Sequence, residues 1–204
     1  MPTKRNIRSR LSHPERRSRR GLMRTRDLEA KGTSRPAIRR LVDSGKLERV
    51  GRGLYVSAGF QATEHHGLAT AALRVPGGVV CLLSALQFHG IGTQAPFETW
   101  LAIGVKDRKP TVADLPLRIV RFSRSALEHG FETHVIECVP VKVTTAARTV
   151  ADCFKYRNKI GLDVALEALR EYRRSRRSVD DLTRAAGAVR VANVMRPYLE
   201  AIVS

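Results

Sequence analysis

The stretch Met23–Ser57, MRTRDLEAKGTSRPAIRRLVDSGKLERVGRGLYVS, constrains the chain more than any other segment. Its punctuation specifies a helix, a tight turn, a second helix and a hairpin, in that order. Thr25 is placed to cap the first helix, Asp27 lies where a negative charge meets the positive helix end, and Leu28 points inward. Gly32 supplies a left-handed stop. Thr33 or Ser34 caps the second helix, and Pro36 falls where a missing N–H costs little. Ile38, Leu41 and Val42 recur at spacings of three and four and face a core, which turns Arg35, Arg39 and, more obliquely, Arg40 outward. Ser44 and Gly45 end the helix. Lys46 to Val50 and Leu54 to Ser57 then read as two strands around Gly51-Arg52-Gly53, a turn with two residues free to take positive φ and an arginine at its tip.

A helix-turn-helix with a hairpin wing puts its second helix into a DNA major groove and lays the wing beside the phosphates. Arg35 and Arg39 share one helix face, where like charges repel, so an anionic partner is their natural complement. Charge supports the same partner. Residues 1–57 hold 17 Lys/Arg against 5 Asp/Glu and the remainder 20 against 14, so the two parts carry +12 and +6 of the total +18. That balance suits a polyanion: DNA, RNA or an acidic membrane surface. Residues 1–22, MPTKRNIRSRLSHPERRSRRGL, form a basic arm in which Ile7, Leu11 and Leu22 are too sparse for an apolar stripe. Such an arm is solvated and disordered, or follows phosphates and enters the minor groove; ordering only on DNA satisfies both.

No apolar run approaches the ~20 residues needed to cross a bilayer, and no apolar segment follows the basic start as in a secretory signal. Cys81, Cys138 and Cys153 are odd in number, widely spaced and set among apolar residues, which predicts reduced, buried thiols in a cytoplasm.

Beyond a connector at 58–63, Thr63 can cap a helix from Glu64 to about Val75 with Leu68, Ala72 and Leu73 inward. His65 and His66 are adjacent on it and cannot both hold one ion from one face. Pro76-Gly77-Gly78 break it, Val79 to Leu82 reads as a short strand, and Ser84 can cap a helix ending at His89 and Gly90. Strands are expected at Thr99 to Val105, Leu117 to Phe122 and Thr133 to Val143, the last marked as an edge or a bend by Pro140. Thr144 or Thr145 caps a helix with Ala147, Val150, Ala151 and Phe154 on one face, running into KYRNKIG, where Gly161 ends it. Helices follow over Leu162 to Arg174, from a capping box of Ser178 with Asp181, and around Val191 to Ile202, where Pro197 kinks the last helix or marks its start. The run Arg173, Arg174, Arg176, Arg177 reads as a solvated linker, with a second anion site as the alternative. The fold class is therefore α+β: an N-terminal winged helix-turn-helix at 23–57 followed by a mixed α/β domain at 58–204 ending in several helices.

Catalytic and cofactor motifs are absent: no GxxxxGK[ST], HExxH, GxSxG or CxxC occurs, so no catalytic residue, metal site or cofactor is assigned. Glu98 with Lys106 is the nearest approach to the carboxylate and lysine of a metal-dependent nuclease, without a partner aspartate before it.

Four segments carry a resemblance: MRTRDLEAKGTSRPAIRRLVDSGKLERVGRGLYV, VCLLSALQFHGIGTQAPFETWLAI, TVADCFKYRNKIGLDVALEAL and RVANVMRPYLEA. Together they resemble the AbiEi-type antitoxins of bacterial type IV toxin-antitoxin systems. The resemblance implies a winged helix that represses its own operon at inverted repeats in double-stranded DNA. It also implies a C-terminal domain that counteracts a nucleotidyltransferase-type toxin without needing a stable complex with it. Carried over, the DNA-facing set is Thr25, Arg26, Thr33, Ser34, Arg35, Arg39 and Arg40, with Arg49 and Arg52 on the wing. Antitoxicity falls on Lys155, Tyr156, Arg157 and Lys159, residues that could equally serve only to fix a helix junction. A plain transcriptional regulator without antitoxin activity and a nuclease-like DNA-binding protein are the alternatives. Where the family has an apolar first helix this chain has SHPERRSRRG, so the DNA module is expected to borrow apolar surface from the second domain.

Overall fold

The computed structural model describes residues 21–112 and 115–203; the first twenty residues of the basic arm lie outside them. The described chain opens with a short strand, β1 (Met23–Arg24), followed by α1 (Thr25–Ala30), α2 (Arg35–Asp43), β2 (Leu47–Gly51) and β3 (Leu54–Ser57). Helix, turn, helix and hairpin stand where the sequence puts them. β1 was not foreseen: two residues are too few to carry a pattern, yet they pair antiparallel with β3 and complete a three-stranded sheet in the order β1-β3-β2. Capping differs too. Arg24, not Thr25, is the N-cap of α1, because the Asp27 carboxylate reaches back to the Arg24 backbone N–H at 3.3 Å and takes its guanidinium at 2.9 Å. Thr25 is thereby the first helical residue. Gly32 takes the left-handed conformation (φ 84°), as its position required, and in the wing turn Gly53 does so (φ 68°).

The second part contains α3 (His66–Arg74), β4 (Val79–Val80), α4 (Leu82–His89), β5 (Thr99–Gly104), β6 (Leu117–Phe122), α5 (Arg124–Glu128), β7 (Phe131–Ile136) and β8 (Val139–Thr144). The helices α6 (Ala146–Lys155), α7 (Arg157–Ile160), α8 (Leu162–Arg174), α9 (Val179–Ala188) and α10 (Ala192–Val203) complete it. Five strands form one mixed sheet in the order β6-β5-β4-β8-β7. β5, between β6 and β4, is buried on both faces: Trp100 and Ala102 join the core beneath α4, α6, α8 and α9, while Leu101 and Ile103 join the core beneath α3. The chain is α+β.

Several expectations are corrected. The strand anticipated over Thr133 to Val143 is an antiparallel hairpin, β7 and β8, turning at Glu137 and Cys138 with φ of 51° and 64°. Glu-Cys is not a turn signal, so the sequence concealed it. Pro140 is tolerated because it pairs with Val135, while β4 reaches β8 only at Val143. Ser84 caps nothing: α4 begins earlier, after Cys81, and Ser84 Oγ accepts the Trp100 N–H at 2.9 Å instead. Thr145, of the two candidates, caps α6 by accepting the Arg148 N–H at 3.3 Å. Ser178 caps α9 through the Asp181 N–H at 3.1 Å. α10 runs through Pro197. Cys81 and Cys153 are buried free thiols as expected, but Cys138 is exposed because it occupies the hairpin tip. Among the described residues no helix is long and apolar enough to cross a membrane.

The two parts share a core. β3 alternates, sending Tyr55 toward the helices of the N-terminal module, where Leu28, Ile38 and Leu47 form a small cluster. Leu54 and Val56 point the other way, into the core of Leu68, Leu73, Val80, Leu101 and Val141. Leu22, counted with the arm in the sequence, is 4% exposed in that same core. The hairpin tip fastens the junction. Glu137 Oε1 accepts the backbone N–H and the hydroxyl of Thr63 at 2.8 and 2.9 Å, its Oε2 lies 2.7 Å from His66 Nδ1, and its carbonyl accepts the Leu22 N–H at 3.1 Å. A Cβ at Gly21 would collide with the Glu137 carbonyl and Cys138. The module thus rests on the larger part where a packed first helix was missing from its sequence.

Candidate nucleic-acid interface

α2 begins at Ser34, whose extended backbone opens the helix without a side-chain capping bond, and Pro36 sits in its first turn. Ile38 anchors it at 2% exposure, with Leu41 and Val42 half-buried beside it. One face of the helix then looks across at the wing. Between them lies an open groove of about 660 Å³ lined on the helix side by Arg35, Ile38, Arg39 and Val42 and on the other by Thr25, Arg49, Arg52, Gly53 and Tyr55. Four arginines line it, and among the described residues the lining includes no carboxylate. Repulsion among them is relieved by an anion in the groove, and the low-dielectric floor of Ile38 and Val42 strengthens that attraction.

The nearby acids are largely spent elsewhere. Asp27 is bound by Arg24, which holds its carboxyl below the usual range. Among the described residues only Glu29 reaches a groove cation, accepting Arg35 Nε at 2.7 Å, although Arg35 remains 79% exposed. Arg49 Nε donates to the Gly51 carbonyl at 3.3 Å, which draws its side chain along the wing.

Of the residues named from sequence, the structure brings Thr25, Arg35, Arg39, Arg49 and Arg52 together on this groove. Arg26, Thr33, Ser34 and Arg40 lie outside its lining: Arg26 leans toward Asp27 at 3.9 Å, and Arg40 is exposed on another flank of α2. Tyr55 was missed. The alternation of Leu54-Tyr55-Val56 held the signal, since two apolar residues facing one core turn the tyrosine to the opposite face.

The second set, Lys155 to Lys159, occupies the break between α6 and α7. Tyr156 is a fastening: its hydroxyl donates to the Arg121 carbonyl at 3.0 Å and its ring stacks on Phe122 at 5.9 Å. Burial, then the Asp152 charge, pushes its hydroxyl pKa up to about 12. Arg157 Nη1 donates to the Phe154 carbonyl at 2.8 Å. Lys155 and Lys159 are exposed, the latter with Nζ 5.7 Å from the Tyr156 ring centre. Arg121 donates to the carbonyls of Gly104 and Asp107, so the exposed Lys106, Arg108 and Lys109 follow β5 at the same end of the sheet. Beneath, Arg148 Nε meets Asp152 Oδ2 at 2.9 Å with both side chains buried, a pair the sequence reading overlooked although its i, i+4 spacing among apolar residues was visible. Burial outweighs Arg148 and raises the Asp152 pKa to about 6.

The remaining candidates do not assemble. Glu98 and Lys106 stand beyond opposite ends of β5, a six-residue strand that spans about 20 Å at about 3.3 Å per residue. Among the described residues no three His, Cys, Asp or Glu side chains are grouped to hold a metal. The basic run is partly engaged: Arg177 Nη2 donates to the His89 carbonyl at 3.1 Å and Arg174 pairs with Glu171.

Residues 14–58 match the family model described as transcriptional regulator, AbiEi antitoxin, which covers the whole of the helix-turn-helix and wing. No curated protein matches the chain in sequence. Among solved structures it is similar to the RV2827C protein from Mycobacterium tuberculosis, at 14% identity and a TM-score of 0.49 over 90% of this chain and 77% of that one.

Proposed function

We propose, from the regulator module matched at residues 14–58, that the chain is an autorepressor and antitoxin acting in the cytoplasm. It binds double-stranded operator DNA with α2 and the wing. The carrying observation is that Arg35, Arg39, Arg49 and Arg52 line one groove whose described lining holds no carboxylate. Arg39 is the candidate for a guanine edge, since a guanidinium donates two parallel bonds to O6 and N7. Arg49 and Arg52, on the wing, suit phosphates, and Thr33, Ser34, Arg26 and Arg40 flank the helix ends where backbone contacts fall. Inverted repeats would be filled by two copies.

The larger part counteracts a nucleotidyltransferase-type toxin, without a stable complex between the two proteins. Lys155 and Lys159 are the exposed members of the segment assigned to that role, beside Lys106, Arg108 and Lys109. Tyr156 and Arg157 hold the segment in place.

Two experiments test the two halves. The intact chain should shift a duplex taken from upstream of its own coding sequence and repress a reporter driven by it; no preference over scrambled duplex removes the operator reading. Co-expression with a nucleotidyltransferase-like protein encoded in an adjacent reading frame should restore growth, and a Lys155→Glu/Lys159→Glu chain should fail to do so. If the unsubstituted chain gives no rescue while repression persists, the protein is a plain regulator.

A further inference from the structure

The wing turn is held from two sides. The Gly53 carbonyl accepts the Thr25 N–H at 3.0 Å, tying the turn to α1. The preceding carbonyl, that of Arg52, accepts Nη1 of Arg74 at 2.6 Å. Arg74 is the last residue of α3 and belongs to the larger part of the chain. One residue earlier, the Leu73 carbonyl accepts Nη1 of Arg24 at 3.4 Å, and Arg24 is the N-cap of α1. The end of α3 therefore exchanges hydrogen bonds with both the wing and the first helix.

Each bond answers a local need. The last carbonyls of a helix lack partners within it, and Arg24 supplies one to Leu73. The Arg74 cation stands at the negative end of α3, a favourable place that also puts it within reach of the wing. Fixing the Arg52 carbonyl orients the peptide plane next to the Arg52 Cα and so the direction in which that side chain leaves the turn. α3 itself is set by Leu68, Ala69, Ala71 and Leu73 in the core it shares with Leu22, Leu54 and Val56.

We propose that Arg74 is a positioning residue for DNA binding: from the larger part of the chain it sets the wing turn that presents Arg52. Operator affinity then depends on how α3 is seated, and any event that shifts α3 reaches the wing through this bond. The inference rests on the DNA-binding reading above.

The test compares the intact chain with Arg74→Ala, Arg74→Lys and Arg52→Ala on the upstream duplex, by titration at several salt concentrations and by hydroxyl-radical footprinting. Arg74→Ala should weaken binding about tenfold, the size of one lost directional contact, with the salt slope unchanged. It should lose protection at the positions that depend on Arg52 while those covered by α2 persist. Arg74→Lys should recover part of both, since an ammonium can donate to the same carbonyl. Unchanged affinity and footprint in Arg74→Ala would overturn the proposal. So would a uniform loss along the site, which marks general destabilisation, or a slope shallower by about one unit, which marks a phosphate contact. Failure of the unsubstituted chain to bind removes the DNA-binding reading as well, whereas binding that ignores Arg74 removes this inference alone.

Discussion

The four groove arginines have different partners and should respond differently to truncation. Arg35 is already shared with Glu29, and Arg49 with the Gly51 carbonyl. If Arg39 reads a base edge, Arg39→Ala should cost ~1–3 kcal/mol on the upstream site and far less on random duplex. Parallel titrations on the two duplexes check this, and equal losses would make Arg39 a phosphate contact. Asp152 offers a test of the buried interior. Its carboxyl titrates at about 6 in the fold, above its ordinary 3.8, so the folded state holds the proton more tightly than the unfolded one. The resulting stabilisation is complete below about pH 4 and is lost as pH rises through about 6. Urea unfolding of the wild-type chain should show this decline relative to Asp152→Asn; parallel pH profiles would contradict it.

Elements with local punctuation were legible, and those without it were not. α2 and the wing could be read because Gly32, Pro36, Gly45 and Gly53 mark their ends chemically, and α6 because Thr145 precedes a clean apolar stripe. The β7–β8 hairpin was hidden because its turn uses Glu137 and Cys138, two residues held at positive φ by surroundings that the sequence does not display. Glu137 is there for its side chain, which fastens Thr63 and His66. Cys138 has no such role, and a left-handed L-residue costs roughly 1–2 kcal/mol. Cys138→Gly should therefore stabilise the chain by up to about 1 kcal/mol after the added freedom of the unfolded state is deducted. A raised urea midpoint with an unchanged m-value is the expected reading; a lowered one would mean that the thiol packs usefully against Gly21. The groove was legible in its arginines; Tyr55 and the Arg148–Asp152 pair were marked only by the alternation of β3 and by an i, i+4 spacing, signals that also fit an ordinary strand and an exposed helix pair.

At the scale of the molecule, the helix-turn-helix and wing are fastened to the part behind them. Leu22, Leu54 and Val56 lie in the same core as α3 and the large sheet. The polar segment before Met23 foretold that the module needed such support, although nothing in it named the residues that give it. Leu54→Ala should cost about 2–5 kcal/mol, and the loss should appear together in Trp100 fluorescence and far-UV circular dichroism as one transition. Separate transitions for the two signals would show independent parts. The most direct measurement of all is the salt dependence of the intact chain on its own upstream duplex. With about five phosphates met by Arg35, Arg49 and Arg52 of the groove and by Arg26 and Arg40 beside it, log K should fall against log salt with a slope of about −4 or steeper, and scrambled duplex should compete poorly. A slope near zero, or equal competition by scrambled DNA, would contradict an operator-reading groove between α2 and the wing.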